Sequence, residues 1–275
     1  MSVFWFVPIG FLVGTYGTLI GAGGGFLLVP LLIFLFPQDS SSAITAASLA
    51  VIFVNASSGA FAYARMRRIS YKTGFLFAAA TIPGALVGSY LTRFIPRREF
   101  GILFGILLVG VAVFLAISRG RRAGRSDKPA SDAPRRWPIV DTVTDREGRS
   151  YPLSYSVPLG MGISVLVGLF SSLVGIGGGL IHVPVLTYLF GFPVHLATAT
   201  SHFVLIFTSL AGVIEHFLDG TWPRHLPRDA CLALGVVGGA QLGAFLSRKI
   251  SASWIVVALA VALGLVGVRL VLTAF

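Results

Sequence analysis

Long apolar runs alternate with short polar gaps along almost the whole chain. Ten runs can be drawn: 3–20, 24–36, 43–64, 73–92 and 99–118, then 156–174, 178–191, 196–217, 229–247 and 251–273. Most approach the roughly 20 residues that a helix needs to cross a hydrocarbon core of about 30 Å. The pattern predicts an all-α integral membrane protein with about eight to ten crossings. Two runs, 24–36 and 178–191, are shorter and open on glycine; about 13 residues of helix span only roughly 20 Å. A polar stretch between the fifth and sixth runs, rich in Arg, Asp, Ser and Pro, is expected to be a mobile linker. The chain therefore divides into a first membrane repeat (1–118), a linker (119–155) and a second membrane repeat (156–275).

The two repeats share sequence. "GAGGGFLLVP" (Gly21–Pro30) matches "GIGGGLIHVP" (Gly175–Pro184) at six of ten positions. "TAASLAVIFVNASSGA" from Thr45 aligns with "TATSHFVLIFTSLAGV" from Thr198, and "PGALVGSYLTRFI" from Pro83 with "GGAQLGAFLSRKI" from Gly238. Three matches in one order at nearly constant offset imply duplication. A short, Gly-interrupted segment at the same place in both halves points to a transporter's binding site.

Composition sharpens this picture. Charged residues make up 11% of the chain and hydrophobic residues 55%, against roughly 25% charged in soluble domains. The net charge of +11 would suit a nucleic-acid partner, but nine of the 21 Lys and Arg lie between Arg119 and Arg149, and nearly all the rest sit in gaps between apolar runs. That distribution sets orientation in a membrane, and no nucleic acid is expected. The linker and the gap "RMRRISYK" (Arg65–Lys72) are expected in the cytoplasm, which leaves the gap with Arg93, Arg97 and Arg98 outside. The first run lacks a basic leader and a cleavage site and is expected to be a retained membrane segment. If each Gly-linked pair of runs makes zero or two crossings, the halves are inverted; if only the short run re-enters, they are parallel. The count of basic residues favours neither. Inversion is adopted because it gives alternating access a simple mechanical basis. The lone Cys231 is expected to be a small buried hydrophobe.

Backbone opened by a glycine run cannot be satisfied by lipid, so it must be buried or line a wet cavity. The apolar run after each glycine cluster predicts a helix start there, with free N–H groups and a partial positive charge. Gly23, Gly24 and Gly25 from one half, and Gly177, Gly178 and Gly179 from the other, would bring such groups together around one small anion. No Gly-Lys-Ser/Thr follows, so this is no phosphate loop. The duplicated G-x-GGG-x3-VP, the T-A-x-S run after it, the downstream G-A-x-x-G helix and the polar central loop resemble the sulfite exporter TauE/SafE family. The resemblance covers nearly the whole chain except the linker. It implies a permease of the cell inner membrane for small sulfur-containing anions, sulfite or organosulfonates such as sulfoacetate, without a cofactor.

Several side chains are candidates for the anion path. Helical spacing puts Thr45, Ser48 and Asn55 on one face, with Thr198, Ser201 and Thr208 at matching positions. Such hydroxyls and amides donate without being ionised, although Ser and Thr also bond their own helix. His182 stands where the first half has Leu28, and His202 where it has Leu49; either would donate to the anion or carry a coupled proton. Gln241, in place of Leu86, is a further donor. His195, Glu215, His216 and Arg269 fall near run ends and are expected at the interface. No metal-ligand spacing is present. Gly84/Gly88 and Gly239/Gly243 are expected to pack helices. Secondary transport of a small anion, with a proton or other cation as the possible coupling ion, is the leading reading. The alternatives are a membrane-embedded enzyme and a lipid- or signal-responsive membrane protein that acts through the basic linker.

Overall fold

The structure, a computed structural model, describes residues 3–123, 138–144, 146–221, 225–250, 257, 260–261 and 263–269. The tenth run, 251–273, thus lies largely outside the described residues. After a short 3-10 turn, Val3–Trp5, come α1 (Phe6–Ile20), α2 (Gly25–Leu35), α3 (Ser41–Arg65), α4 (Tyr71–Thr92) and α5 (Arg97–Ala123). A hairpin of β1 (Pro138–Thr144) and β2 (Ser150–Ser156) leads to α6 (Val157–Leu173). The second half continues with α7 (Gly179–Pro184), which runs into a π turn at Val185–Leu189, then α8 (Val194–Leu218) and α9 (Leu226–Leu246).

Six helices among the described residues are long and apolar enough to cross a bilayer: α1 with its preceding turn, α3, α4, α5, α8 and α9. Large apolar side chains such as Leu12, Phe61, Leu166 and Leu234 are exposed, while Thr45, Ser48, Asn55, Ser172, Ser201 and His202 are fully buried. A soluble protein distributes these residues the other way. Outward-facing hydrocarbon around a hydroxyl-rich interior fits lipid as the solvent, and the protein is a multi-pass, all-α membrane protein.

Glycine seams set the helix pairing. A Cβ on Gly10 would run into the Leu232 carbonyl, and one on Gly14 would lie 2.7 Å from Val236 Cα. Gly84 and Gly88 meet the carbonyls of Val165 and Leu169 in the same way. The numbering rises together along both seams, so α1 runs parallel to α9, and α4 to α6. Lipid offers apolar helices no hydrophobic reason to associate, so this backbone-to-backbone approach supplies the attraction. In contrast, Gly59 sits beside His202 and Gly212 beside Leu49, so the central helices α3 and α8 are antiparallel.

The short helices fold back. Phe6, at the start of α1, lies 5.9 Å from Phe36, just past α2. Gly160, in the first turn of α6, lies beside Phe190 at the end of the π turn. Each Gly-linked pair is therefore a helical hairpin whose glycine tip points into the protein.

The polar stretch is not featureless. Its last part forms the antiparallel β1–β2 hairpin, with Val143, Leu153 and Tyr155 buried and Thr142, Thr144, Pro152 and Ser154 beside them exposed. Tyr155 packs against Phe77, Phe190 and Phe192, and its hydroxyl donates to Thr73 Oγ1 at 2.9 Å. Where the structure describes the stretch expected to be a mobile linker, 119–155, it forms the end of α5 and this hairpin; residues 124–137 and 145 lie outside the described residues. The alternation "YPLSYS" carries the strand signal, but the flanking charges obscure it.

Candidate functional site

The two glycine tips meet at mid-length of α3 and α8. In the first, Gly21, Gly23 and Gly24 take φ of 88°, 74° and 86°; in the second, Gly175, Gly177 and Gly178 take 75°, 73° and 101°. Three left-handed residues in one short turn are accessible only to glycine at tolerable cost. They let the chain reverse and start α2 and α7 at the tip. The N–H groups of Gly24, Gly25 and Phe26, and those of Gly177, Gly178 and Gly179, form no hydrogen bond among the described residues.

The tips touch. A Cβ on Gly25 would lie 2.8 Å from Ile176 Cα, and one on Gly179 would lie 2.5 Å from the Gly21 carbonyl. The central helices fasten them reciprocally: Ser48 Oγ donates to Gly175 O (2.7 Å), and Ser201 Oγ donates to Gly21 O (3.1 Å) and Gly179 O (3.4 Å). Ser48 and Ser201 occupy equivalent positions, as do Gly21 and Gly175. Ile52 and Leu205, another equivalent pair, are both fully buried and lie against Gly23 and Gly177. They form an apolar plug over the crossing.

Beyond that the tips differ. On the first, Asn55 Nδ2 donates to Gly23 O (3.0 Å), Thr18 Oγ1 donates to Asn55 Oδ1 (3.2 Å), and Tyr63 OH donates to Thr18 O (2.8 Å). His202 Nε2 lies 3.2 Å from Thr18 Oγ1. Because Thr18 gives its one proton to Asn55, the histidine is the donor in that contact. On the second tip, Thr208, the counterpart of Asn55, only back-bonds to Val204 O at 3.2 Å. Ser171, Ser172 and Thr45 there carry buried hydroxyls that no described group satisfies.

The candidates from sequence therefore separate. The six glycines, Ser48, Asn55, Ser201 and His202 converge on the crossing. His182 does not join His202; it is buried against α6, 3.4 Å from Ser164 Oγ, with its ring over Phe77. Gln241 is exposed and donates to Ser58 O and Oγ at 2.8 and 2.9 Å, bridging α9 to α3 rather than reaching the tips. Sequence reasoning passed over Thr18, Tyr63, Ile52, Leu205, Ser171 and Ser172. Thr18 and Ser172 stand three residues before Gly21 and Gly175, so extending the repeat alignment would have found them. Among the described residues no three His, Cys, Asp or Glu gather as a metal site.

The two ends of the bundle are unlike. At one, a cavity of about 490 Å³ is lined by Ser40–Ala43, Thr92, Arg93, Ile95–Arg97, Gly220 and Thr221. Arg93 pairs there with Asp219 (2.6 Å) and Glu215 (3.4 Å), while Arg228 pairs with Asp39 (3.1 Å) and Asp229 (2.7 Å). Arg97 caps the end of α2 through Ile33 O (2.6 Å) and Phe36 O (3.2 Å). His216, expected at the interface, is buried here, 3.4 Å from Ser42 Oγ. At the other end, Arg68, Arg248 and the β-hairpin meet.

Comparison with known proteins agrees with this architecture. The family model described as "Sulfite exporter TauE/SafE" matches residues 6–270. A Bacillus subtilis (strain 168) protein named "Probable membrane transporter protein YunE" is 33% identical over 280 residues, covering 98% of each chain. "Probable membrane transporter protein MJ0441" of Methanocaldococcus jannaschii is 28% identical, covering 97% of this chain and 94% of its own. No solved structure matches the chain significantly. Two crossed glycine tips inside a lipid-facing helical shell, with a family match along nearly the entire length, make this membrane protein a member of the sulfite exporter TauE/SafE family.

Proposed function

We propose that the protein is a secondary transporter or facilitator that exports a small sulfur-containing anion, sulfite or an organosulfonate, through the crossing of its two glycine tips. The observation that carries this reading is the meeting of two helix starts, rich in unpaired N–H groups, beside the unsatisfied hydroxyls of Thr45, Ser171 and Ser172. A multiply charged oxyanion is the ligand that such donors accept without a lysine or arginine. The sulfur comes from the family description. The polar groups at the centre hold backbone carbonyls and one another, which suits a carrier better than an enzyme.

The halves are inverted in this reading. Equivalent helices α3 and α8 are antiparallel, and the two re-entrant hairpins enter from opposite ends. The end with Arg65–Lys72, the β-hairpin and Arg248 faces the cytoplasm. The arginines of the opposite end are held by Asp39, Glu215, Asp219 and Asp229. In the inner membrane, a negative-inside potential drives anions out, so export needs no coupled ion, whereas import would need a proton or other cation. Purified protein in liposomes should pass sulfite or sulfoacetate down its gradient; flux equal to that of empty liposomes for every small oxyanion tested would refute the reading.

A further inference from the structure

The open cavity has a symmetry mate. Applying the repeat alignment to its lining carries Ser41–Ala43 to Val194–Leu196, Thr92 and Arg93 to Ser247 and Arg248, and Gly220 and Thr221 to Arg67 and Arg68. At that place the tip of the β-hairpin is seated. Arg146 N–H donates to Met66 O at 3.3 Å. The Glu147 carboxylate, paired with Arg149 on the hairpin itself, lies 3.8 Å from Arg248 and 4.0 Å from Arg68. Arg68 is 7% exposed, and its Nη1 has no partner among the described residues. A buried guanidinium with a nitrogen to spare, held at loose range from a tethered carboxylate, is a place for a better-fitting anion. The base of the hairpin is anchored through Leu153 and Tyr155, so its tip is held in position.

We infer that Arg68 and Arg248 form a docking site for the transported oxyanion on the linker side, and that the β-hairpin caps it, with Glu147 as a built-in competitor. This inference rests on the transport reading above. The incoming anion displaces Glu147 from the two arginines and the hairpin tip lifts; when the anion moves on, the carboxylate returns. The opposite cavity has no such cap among the described residues, and the proposed device acts on the linker side. The Glu147–Arg248 pair is exposed, and a pair of that kind is worth up to about fivefold in affinity.

The test uses the full chain in liposomes, with sulfite as probe. Glu147→Gln removes the competing charge from an exposed side chain without touching the core. It should lower the half-saturating sulfite concentration on the linker side about threefold to fivefold, leaving the opposite side unchanged. Arg146→Cys with Met66→Cys, in a Cys231→Ser background, should stop flux when oxidised and regain it on reduction. Hydrogen exchange gives a readout independent of flux: sulfite should speed exchange in the hairpin tip of the wild type, and Arg68→Gln should abolish that response. Normal wild-type flux with unchanged saturation in Glu147→Gln, or with full activity of the oxidised pair, overturns the cap and leaves the transporter reading intact. Absence of wild-type flux refutes the transporter reading; if sulfite also leaves tip exchange unchanged, the docking site falls with it.

Discussion

The two glycine tips share one backbone but not one environment. The first is tied down: Asn55 holds Gly23, Thr18 holds Asn55, and Tyr63 and His202 hold Thr18. The second carries the same three left-handed glycines with Thr208 turned to its own helix and Ser171, Ser172 and Thr45 unsatisfied. The two tips share a backbone geometry, but one is bonded on several sides and the other keeps unpartnered hydroxyls. A buried hydroxyl without a partner costs about 1–3 kcal/mol. At the first tip His202 Nδ1 also lacks a partner among the described residues, but the unpartnered hydroxyls belong to the second, and under the transport reading they are the ones that face the anion.

Substitutions at equivalent positions should pull the tips apart. The largest contrast belongs to the glycines. Gly24→Val places a side chain in left-handed backbone 2.8 Å from Val13 Cγ1, whereas a Cβ on Gly178 meets nothing closer than 3.3 Å. Both carry the backbone penalty of about 1–2 kcal/mol or more. Gly24→Val should therefore fail to give folded protein by size-exclusion chromatography. Gly178→Val should fold yet lose at least about tenfold in flux. Equal folding of the two would remove the distinction. Next comes Asn55→Ala, which strands Gly23 O and Thr18 and should cost about 1–3 kcal/mol of stability in detergent; Thr208→Ala should cost less than about 1 kcal/mol. Ser48→Ala and Ser201→Ala probe what the tips have in common, and each should cost about 1 kcal/mol by thermal unfolding. A clear inequality would mean that the reciprocal clamps are not equivalent. Smallest in stability is Ser172→Ala, within about 0.5 kcal/mol of wild type, while the anion concentration for half-maximal flux should rise at least about threefold, the loss of one donor.

Much of this architecture is legible in the sequence because a bilayer enforces simple rules. Apolar runs gave the helices within a few residues, and the repeated glycines marked the place where the tips meet. Ser48, Asn55, Ser201 and His202 were legible as polar residues in the middle of apolar helices. What sequence did not show depends on direction in space. Gln241 and His182 are as polar and as central in sequence as His202, but their helix faces turn to Ser58 and Ser164. Ile52 and Leu205 are invisible among dozens of aliphatic residues until the glycines beneath them are located. The hairpin was hidden because three charged residues, Arg146, Glu147 and Arg149, crowd its turn.

The parallel glycine seams have a mechanical consequence. Each re-entrant hairpin is fastened not to its own fourth helix but to that of the other half: α1 to α9, and α6 to α4. The repeats have exchanged arms, as protomers do in a swapped dimer. The helices accordingly group across the halves: α9 packs on both α1 and α3, and α4 on both α6 and α8. The central α3–α8 contact and the reciprocal serine clamps join these groups, so packing across the halves, and not the covalent linker alone, keeps the molecule together.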